Sequence, residues 1–402
     1  RFSDLPTTHF ARWVIVPDDK EKGIQSSLAF EANFDGSLDE YLDGFAKKAG
    51  SGLDQIYGKC IGYPSGGTAD VAAFKRYVRA HSVTYSARYI AYRGRNVKDI
   101  HNNTRVRDLV ETFLDAEDRK GALDKLSASA LKDRIGGFLS QEKTTEPGLQ
   151  TQPLEISNGW RPIILWAGLI AIALLFLPVW IFWVPLPLIA RLILFFAPLL
   201  LLGIYAIWLR VLERKDQQIS VKFVTIDDAI FHRENRQVQN QLTHLVDIKP
   251  GLFRLFTLKV VLGVINFAAK FYYYKGLLGS IPTIHFARWV IIDNNKRLIF
   301  FSNFDGSWEN YLGDFIDKAA VGLTGVWSNT VAFPKTEFLV FKGATDEERF
   351  KEWARAKQIP TQVWYTAHPD ETVKNILDNF SIRNAVERPL SGDEAKAWLQ
   401  LF

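Results

Sequence analysis

Cysteine occurs once in 402 residues, as Cys60, and methionine not at all. One thiol cannot staple a secreted scaffold, and the count fits a reducing compartment. Signature motifs are missing too. The chain has no HExxH, CxxC, GxSxG or GxGxxG, and Gly52–Cys60 misses a phosphate-binding loop in spacing and in having Cys60 after Lys59. Charge of one sign is scarce. The 49 Lys+Arg and 44 Asp+Glu leave a scattered excess of +5, which gives no footing for a nucleic-acid partner. Aromatic residues are plentiful: 29 Phe, 13 Tyr and 12 Trp exclude low-complexity disorder. Mean hydropathy lies near zero, yet the apolar residues concentrate in one block from Pro162 to Leu212.

The chain contains itself twice. Leu5 to Val16 (LPTTHFARWVIV) recurs as Ile281 to Ile292 (IPTIHFARWVII), an offset of 276 that sets His9 on His285, Arg12 on Arg288 and Trp13 on Trp289. Asn33 to Ser37 (NFDGS) recurs as Asn303 to Ser307 at an offset of 270, because the first copy has six extra residues between its first two strands. The offset returns to 276 from Phe74 and Phe350 through Tyr89 and Tyr365 to Arg107 and Arg383. Each copy spans about 110 residues, a domain-sized unit.

Each copy reads as a hairpin, a helix, a strand, a helix, a strand and a helix. In the second copy HFARWVIID and Arg297 to Ser302 pair across Asp293-Asn294-Asn295. Ser307 caps a helix bearing Tyr311, Leu312, Phe315, Ile316 and Ala319 on one face. A strand at Glu337 to Phe341, a helix at Asp346 to Lys357, a strand at Thr361 to Thr366 and a helix at Glu371 to Asn379 complete it. This order predicts an α+β fold with helices on one face of a mainly antiparallel sheet, and two such sheets facing each other as a pseudo-twofold pair.

In element order and duplication the chain resembles the ferredoxin-like dimeric α/β-barrel superfamily, which includes small oxygenases, chlorite-dismutase-like proteins and dye-decolorising peroxidases. Phe34-Asp35-Gly36 and Phe304-Asp305-Gly306 are similar to the GxxDG motif of the peroxidases, with Ala32 and Ser302 where its first glycine stands. The resemblance implies two tandem ferredoxin-like repeats forming a pseudo-dimer. It also implies haem as cofactor, with no histidine assigned as its proximal ligand.

Residues 162–211 carry one charge, Arg191. Pro162 to Val184 and Leu188 to Leu209 each match the ~20 residues a bilayer core requires, and Val184-Pro185-Leu186-Pro187 turns between them. Trp160, Trp180, Trp183, Tyr205 and Trp208 stand toward the span ends, where amphipathic rings favour the interface. Arg161 before the hairpin and Arg210, Arg214, Lys215 and Lys222 after it predict cytoplasmic flanks. The expectation is a two-helix, multi-pass protein of the inner (cytoplasmic) membrane, with the lipid bilayer as partner and both α+β domains in the cytoplasm. A re-entrant hairpin or a buried helix pair is the alternative. Leu252 to Leu278, apolar but holding Arg254, Lys259, Lys270 and Lys275, reads either as a helix in the headgroup plane or as one packed between the repeats.

The expected organisation is a first α+β repeat (1–118), a helical, polar linker (119–159) and a transmembrane hairpin (160–212). A connector with the amphipathic helix (213–279), a second repeat (280–390) and a tail (391–402) follow.

Residues kept in both copies are the site candidates. Strand alternation sets His9, Ala11 and Trp13 on one face and Phe10, Arg12 and Val14 on the other. Arg12 and Arg288 then need buried partners, which Asp35 and Asp305 are expected to supply. Two readings stay open. In one, the His, Arg and Asp residues fix the hairpins, and Gly36 and Gly306 serve only the turns. In the other, His9, His285, Arg12, Arg288, Asp35 and Asp305 serve acid-base or anion-holding roles in an inter-sheet pocket. Trp13, Trp289, Tyr89, Tyr365, Asn33 and Asn303 line that pocket. In the unduplicated stretch Gln239 to Gly251, His244 and Asp247 are spaced to share a helix face; two such side chains make no metal site. The functional expectation is a membrane-anchored protein binding an apolar small molecule or lipid between its paired domains, as a haem peroxidase or oxygenase where the resemblance extends to chemistry. The alternative is a non-catalytic scaffold or accessory subunit with a membrane-protein partner.

Overall fold

The computed structural model of the chain describes residues 2–121, 126–142, 187–216, 230, 234, 237–273, 278, 281–386 and 388–402. The first copy runs β1 (Thr8–Val16), β2 (Ser27–Phe34), α1 (Leu38–Tyr57), α2 (Val71–Ala80), β3 (Ala87–Ile90) and α3 (Val97–Asp118). Between the copies lie α4 (Ala128–Gln141), α5 (Leu188–Lys215), β4 (Gln239–Asp247) and α6 (Leu252–Phe271). The second copy runs β5 (Ile284–Ile292), β6 (Arg297–Asp305), α7 (Trp308–Trp327), β7 (Thr336–Glu337), β8 (Phe341–Lys342), α8 (Glu347–Ala356), β9 (Val363–Thr366) and α9 (Val373–Val386). Helix α10 (Gly392–Leu399) follows.

Local chemistry accounts for the shared start of the copies. Ser37 accepts from the Glu40 amide and Glu40 accepts from Ser37, a capping box that opens α1. Ser307 caps α7 by accepting from the Asn310 amide. Gly36 and Gly306 turn the chain out of the hairpins at φ +84° and +79°, a region costly for any residue with a Cβ. In place of the single strand expected at 337–341, β7 and β8 form a small hairpin. Its turn residues Phe338 and Leu339 have positive φ. This hairpin is the six-residue insertion in the second copy that restores the offset to 276.

The chain is a mixed α+β protein with antiparallel sheets, ordered β2-β1-β9 and β3-β5-β6-β4. Each copy gives its last strand to the other copy's sheet. Strand β9 pairs with β1 from Phe10↔Thr366 to Trp13↔Val363, and β3 pairs with β5 from Ile90↔Phe286 to Ala87↔Trp289, the same register mirrored by the 276 offset. The two sheets pack face to face, with Val14 and Val16 against Leu245, Val290, Ile299 and Phe301. Helix α1 covers the outer face of the first sheet through Tyr41, Leu42 and Phe45, and α7 covers the second through Trp308, Tyr311 and Phe315.

The stretch expected as a linker contributes α4, and the tail contributes α10. Both join α3 and α9 in a separate apolar cluster around Val110, Ile135, Ile382 and Trp398. The expected first span, Pro162 to Val184, lies outside the described residues, as do Trp160, Trp180 and Trp183. The second falls within α5. Helices α5 and α6 are long and apolar enough to cross a membrane. Helix α6 buries Leu258, Leu262 and Ala269 against the second half and turns Leu252, Phe256, Val260, Val264 and Phe267 outward.

Candidate functional site

The duplicated polar residues meet in the layer between the sheets. A bulge interrupts the β1–β2 register between Thr8 and Phe10, and another the β5–β6 register between Ile284 and Phe286. The bulge corrects the expected alternation. His9 does not share a face with Trp13 but lies with Phe10 against Phe286 and His368.

The aspartates serve the histidines, not the arginines. His9 Nε2 lies 2.9 Å from Asp35 and His285 Nε2 lies 2.6 Å from Asp305. The second oxygen of each carboxylate accepts from the first amide of a helix: Val97 N–H of α3 to Asp35 at 2.9 Å, and Val373 N–H of α9 to Asp305 at 2.8 Å. A helix N-terminus carries partial positive charge, so each aspartate bridges a helix end and a histidine Nε2. The free imidazole nitrogens then reach into the other half. His285 Nδ1 meets the Tyr92 hydroxyl at 3.0 Å, and His9 Nδ1 meets His368 Nε2 at 3.4 Å. Tyr92 and His368 are themselves 276 positions apart. Gln239 of β4 donates toward His368 Nδ1 at 3.3 Å. The run fits one donor order: Gln239 to His368 Nδ1, His368 Nε2 to His9 Nδ1, and His9 Nε2 to Asp35. Burial, with His285 and His9 alongside, holds the His368 pKa well below the ordinary histidine range.

Arg12 is fully buried and crosses to the opposite sheet. Its guanidinium donates to Gln241 (2.9 Å), the Leu242 carbonyl (3.0 Å), Thr243 (3.3 Å), the Ser302 carbonyl (3.0 Å) and Asn303 (2.5 Å). Arg288 mirrors it, donating to Asn33 (3.0 Å) and the Ala32 carbonyl (3.5 Å). Glu31 is the shared counter-charge, 3.2 Å from Arg12 and 3.4 Å from Arg288. Burial lowers the Arg12 pKa to about 10, against the pull of Glu31, so the side chain stays charged at neutral pH. The expected Arg–Asp pairs do not form, because each guanidinium crosses to the opposite sheet while each aspartate faces a histidine and a helix amide.

The expected aromatic lining sits elsewhere. Trp13 packs on Phe2 and Phe30 beneath α1, and Tyr365 stacks on the edge of that group through Phe2. Trp289 packs on Phe300, and Tyr89 is buried beneath α6. These rings face the helices, so they line no inter-sheet pocket. His244 is on a strand and shares no face with Asp247. It points into the α7 and α8 core against Trp327 and Trp353, while Asp247 pairs with Lys22 at 2.8 Å.

His368, Tyr92 and Glu31 are not among the residues that the sequence singles out, whereas Gln239 and Gln241 lie in the polar stretch that it does. The 276 offset pointed to Tyr92 and His368, but a search for identical residues passes over a Tyr–His pair. Glu31 faces the same obstacle, with Phe301 as its counterpart. Haem does not fit these side chains. An axial imidazole needs a bare nitrogen facing open space, whereas both nitrogens of His9 and His285 face partners inside the packed layer. His244 has two bare nitrogens, but the cavity it lines measures about 20 Å³. Among the described residues no three His, Cys, Asp or Glu side chains are grouped to hold a metal ion. No protein-family model, no curated protein and no solved structure matches the chain.

Proposed function

We propose that the chain is a membrane-anchored, non-catalytic accessory subunit whose interlocked α+β halves dock a partner in a larger membrane complex. One observation carries this reading: the polar His, Arg, Asp and Asn side chains kept in both copies are engaged with one another inside the inter-sheet layer. Their chemistry holds the halves together.

Helix α5 is the anchor in this reading. Its C-terminal end carries Arg210, Arg214 and Lys215, which favours that end on the cytoplasmic side of the inner membrane, with both halves following it. That end is joined to the second half through Glu213, which accepts from the Phe338 and Leu339 amides at 2.8 Å each. The likeness to the ferredoxin-like dimeric α/β-barrel superfamily enters as architecture, two repeats facing as protomers of a dimer face. A lipid-like or apolar ligand is the competing occupant of the layer.

Protein purified from membranes grown with a haem precursor tests the choice. The expected preparation is colourless and retains no stoichiometric lipid on extraction, and in whole cells Cys60 reacts with an impermeant thiol reagent only once the inner membrane is opened. A Soret band with near-stoichiometric iron overturns the reading, as does a lipid retained at one per chain.

A further inference from the structure

The two halves are not equally finished. Strand β4 pairs along the whole outer edge of β6, from Gln239↔Asp305 to Asp247↔Arg297. Its counterpart edge belongs to β2, and among the described residues no strand pairs there. Burial follows the difference: β6 is buried at all nine positions, β2 only at Glu31 and Asn33.

The arginines register the same asymmetry. Arg12 reaches past β6 to take three acceptors from β4: Gln241, the Leu242 carbonyl and Thr243. Arg288 makes the equivalent bonds to β2, and beyond β2 it meets nothing comparable among the described residues. Its remaining terminal nitrogen turns to Glu31 at 3.4 Å, and its side chain stays 21% exposed where that of Arg12 is 0%. The sheet faces differ as well. Helix α6, directly after β4, covers Ala87 and Tyr89 of β3 at 0% and 1% exposure. On β9 their counterparts are Val363, 43% exposed, and Tyr365, half-buried.

We infer that the open edge of β2 and the bare face of β9 receive a strand–helix segment from a partner polypeptide, built as β4 and α6 are built. The inference rests on the docking role proposed above and gives the partner its chemistry. The incoming strand adds antiparallel to β2, as in β-strand augmentation. It places an amide or hydroxyl acceptor opposite Asn33, where Gln241 stands opposite Asn303, and that acceptor meets Arg288. A glycine turn follows, as at Gly251 with φ +104°, and then an apolar helix face closes over Val363 and Tyr365. Internal symmetry identifies the occupant, since the same two surfaces in the second half are filled by this unit.

Hydrogen exchange on the full chain in detergent tests the inference. Without additions, the β2 amides should exchange about tenfold or more faster than those of β6. A synthetic peptide with the sequence of residues 239–251 should slow β2 exchange by at least about tenfold and leave β6 unchanged. Leucine at the peptide position of Gln241, or Arg288→Lys in the protein, should weaken that protection, and N-methylation of alternate peptide amides should abolish it. If β2 is already as protected as β6, the edge is covered within the chain and the inference fails. It fails too if the peptide at about 1 mM, a weak-binding ceiling, protects nothing. A Soret band would remove the proposed function without touching the edge, so the two failures are distinguishable.

Discussion

A buried cation is tolerated where its hydrogen bonds and counter-charge offset the several kcal/mol of lost hydration. Arg12 meets that condition with five donated bonds and Glu31. His244 is the contrary case. It is buried with both ring nitrogens unpartnered, and burial, with Lys357 adding to it, lowers its pKa to about 3. The native state therefore keeps His244 neutral in mild acid, whereas the unfolded chain takes up a proton below about pH 6.5. The unfolded state binds more protons, so stability is present above pH 6.5 and is lost as pH falls toward 3, by about 1.4 kcal/mol per unit. His368 contributes with the same sign. His244→Phe suits the edge-to-face contacts with Trp327 and Trp353 and removes the titration. Between pH 7 and about pH 4.5 the variant should lose about 2–3 kcal/mol less stability than the wild type. Urea midpoints at the two pH values check this, and equal losses would show that His244 is solvated or already paired.

Element by element, the sequence showed what period and capping control. The hairpin of the second copy, the Ser307 cap, the strand at 361–366 and the helix at 346–357 fall within three residues of their expected places. Strand β4 was missed because Gln, Asn, Thr and His alternate with its leucines. Gln239, Gln241 and Thr243 face partners in the inter-sheet layer and His244 faces the α7–α8 core, none of them solvent, so a buried strand looks like a polar connector. The β7–β8 hairpin escaped for a related reason: its stability comes from α5. Glu213 is buried and accepts from Thr336 Oγ1 at 2.9 Å and from the Phe338 and Leu339 amides, while Arg210 pairs with Glu337 at 2.9 Å. The insertion in the second copy thus gives α5 a place to dock. Glu213→Ala leaves those donors without their acceptor, at about 2–4 kcal/mol. The amides of Phe338 and Leu339 should then exchange about 30- to 1000-fold faster, with β5 and β6 unchanged. If their exchange is unaltered, Glu213 does not hold the turn.

At the scale of the whole molecule, duplication was legible and the exchange of strands was not. Identical pairs 276 apart show that two copies share a fold, yet a strand's pattern says only that one face is buried. Alternation in Ala87–Ile90 or Val363–Thr366 is satisfied by pairing in either sheet. The exchange has a mechanical consequence. Parting the halves removes β9 from β1 and β3 from β5, and it exposes Arg12, Glu31 and the His9–His368 contact together. It also opens the α3–α9 contact, where Arg107 donates to Asn379 at 3.2 Å. A covalent link between the copies should therefore be dispensable once folding is complete. A protease site placed between residues 150 and 151, cut in the folded protein, should give two bands under denaturing conditions and one particle of unchanged mass in detergent. Dissociation on cutting, without denaturant, would mean that each copy completes its own sheet and that the polar layer contributes little to joining them.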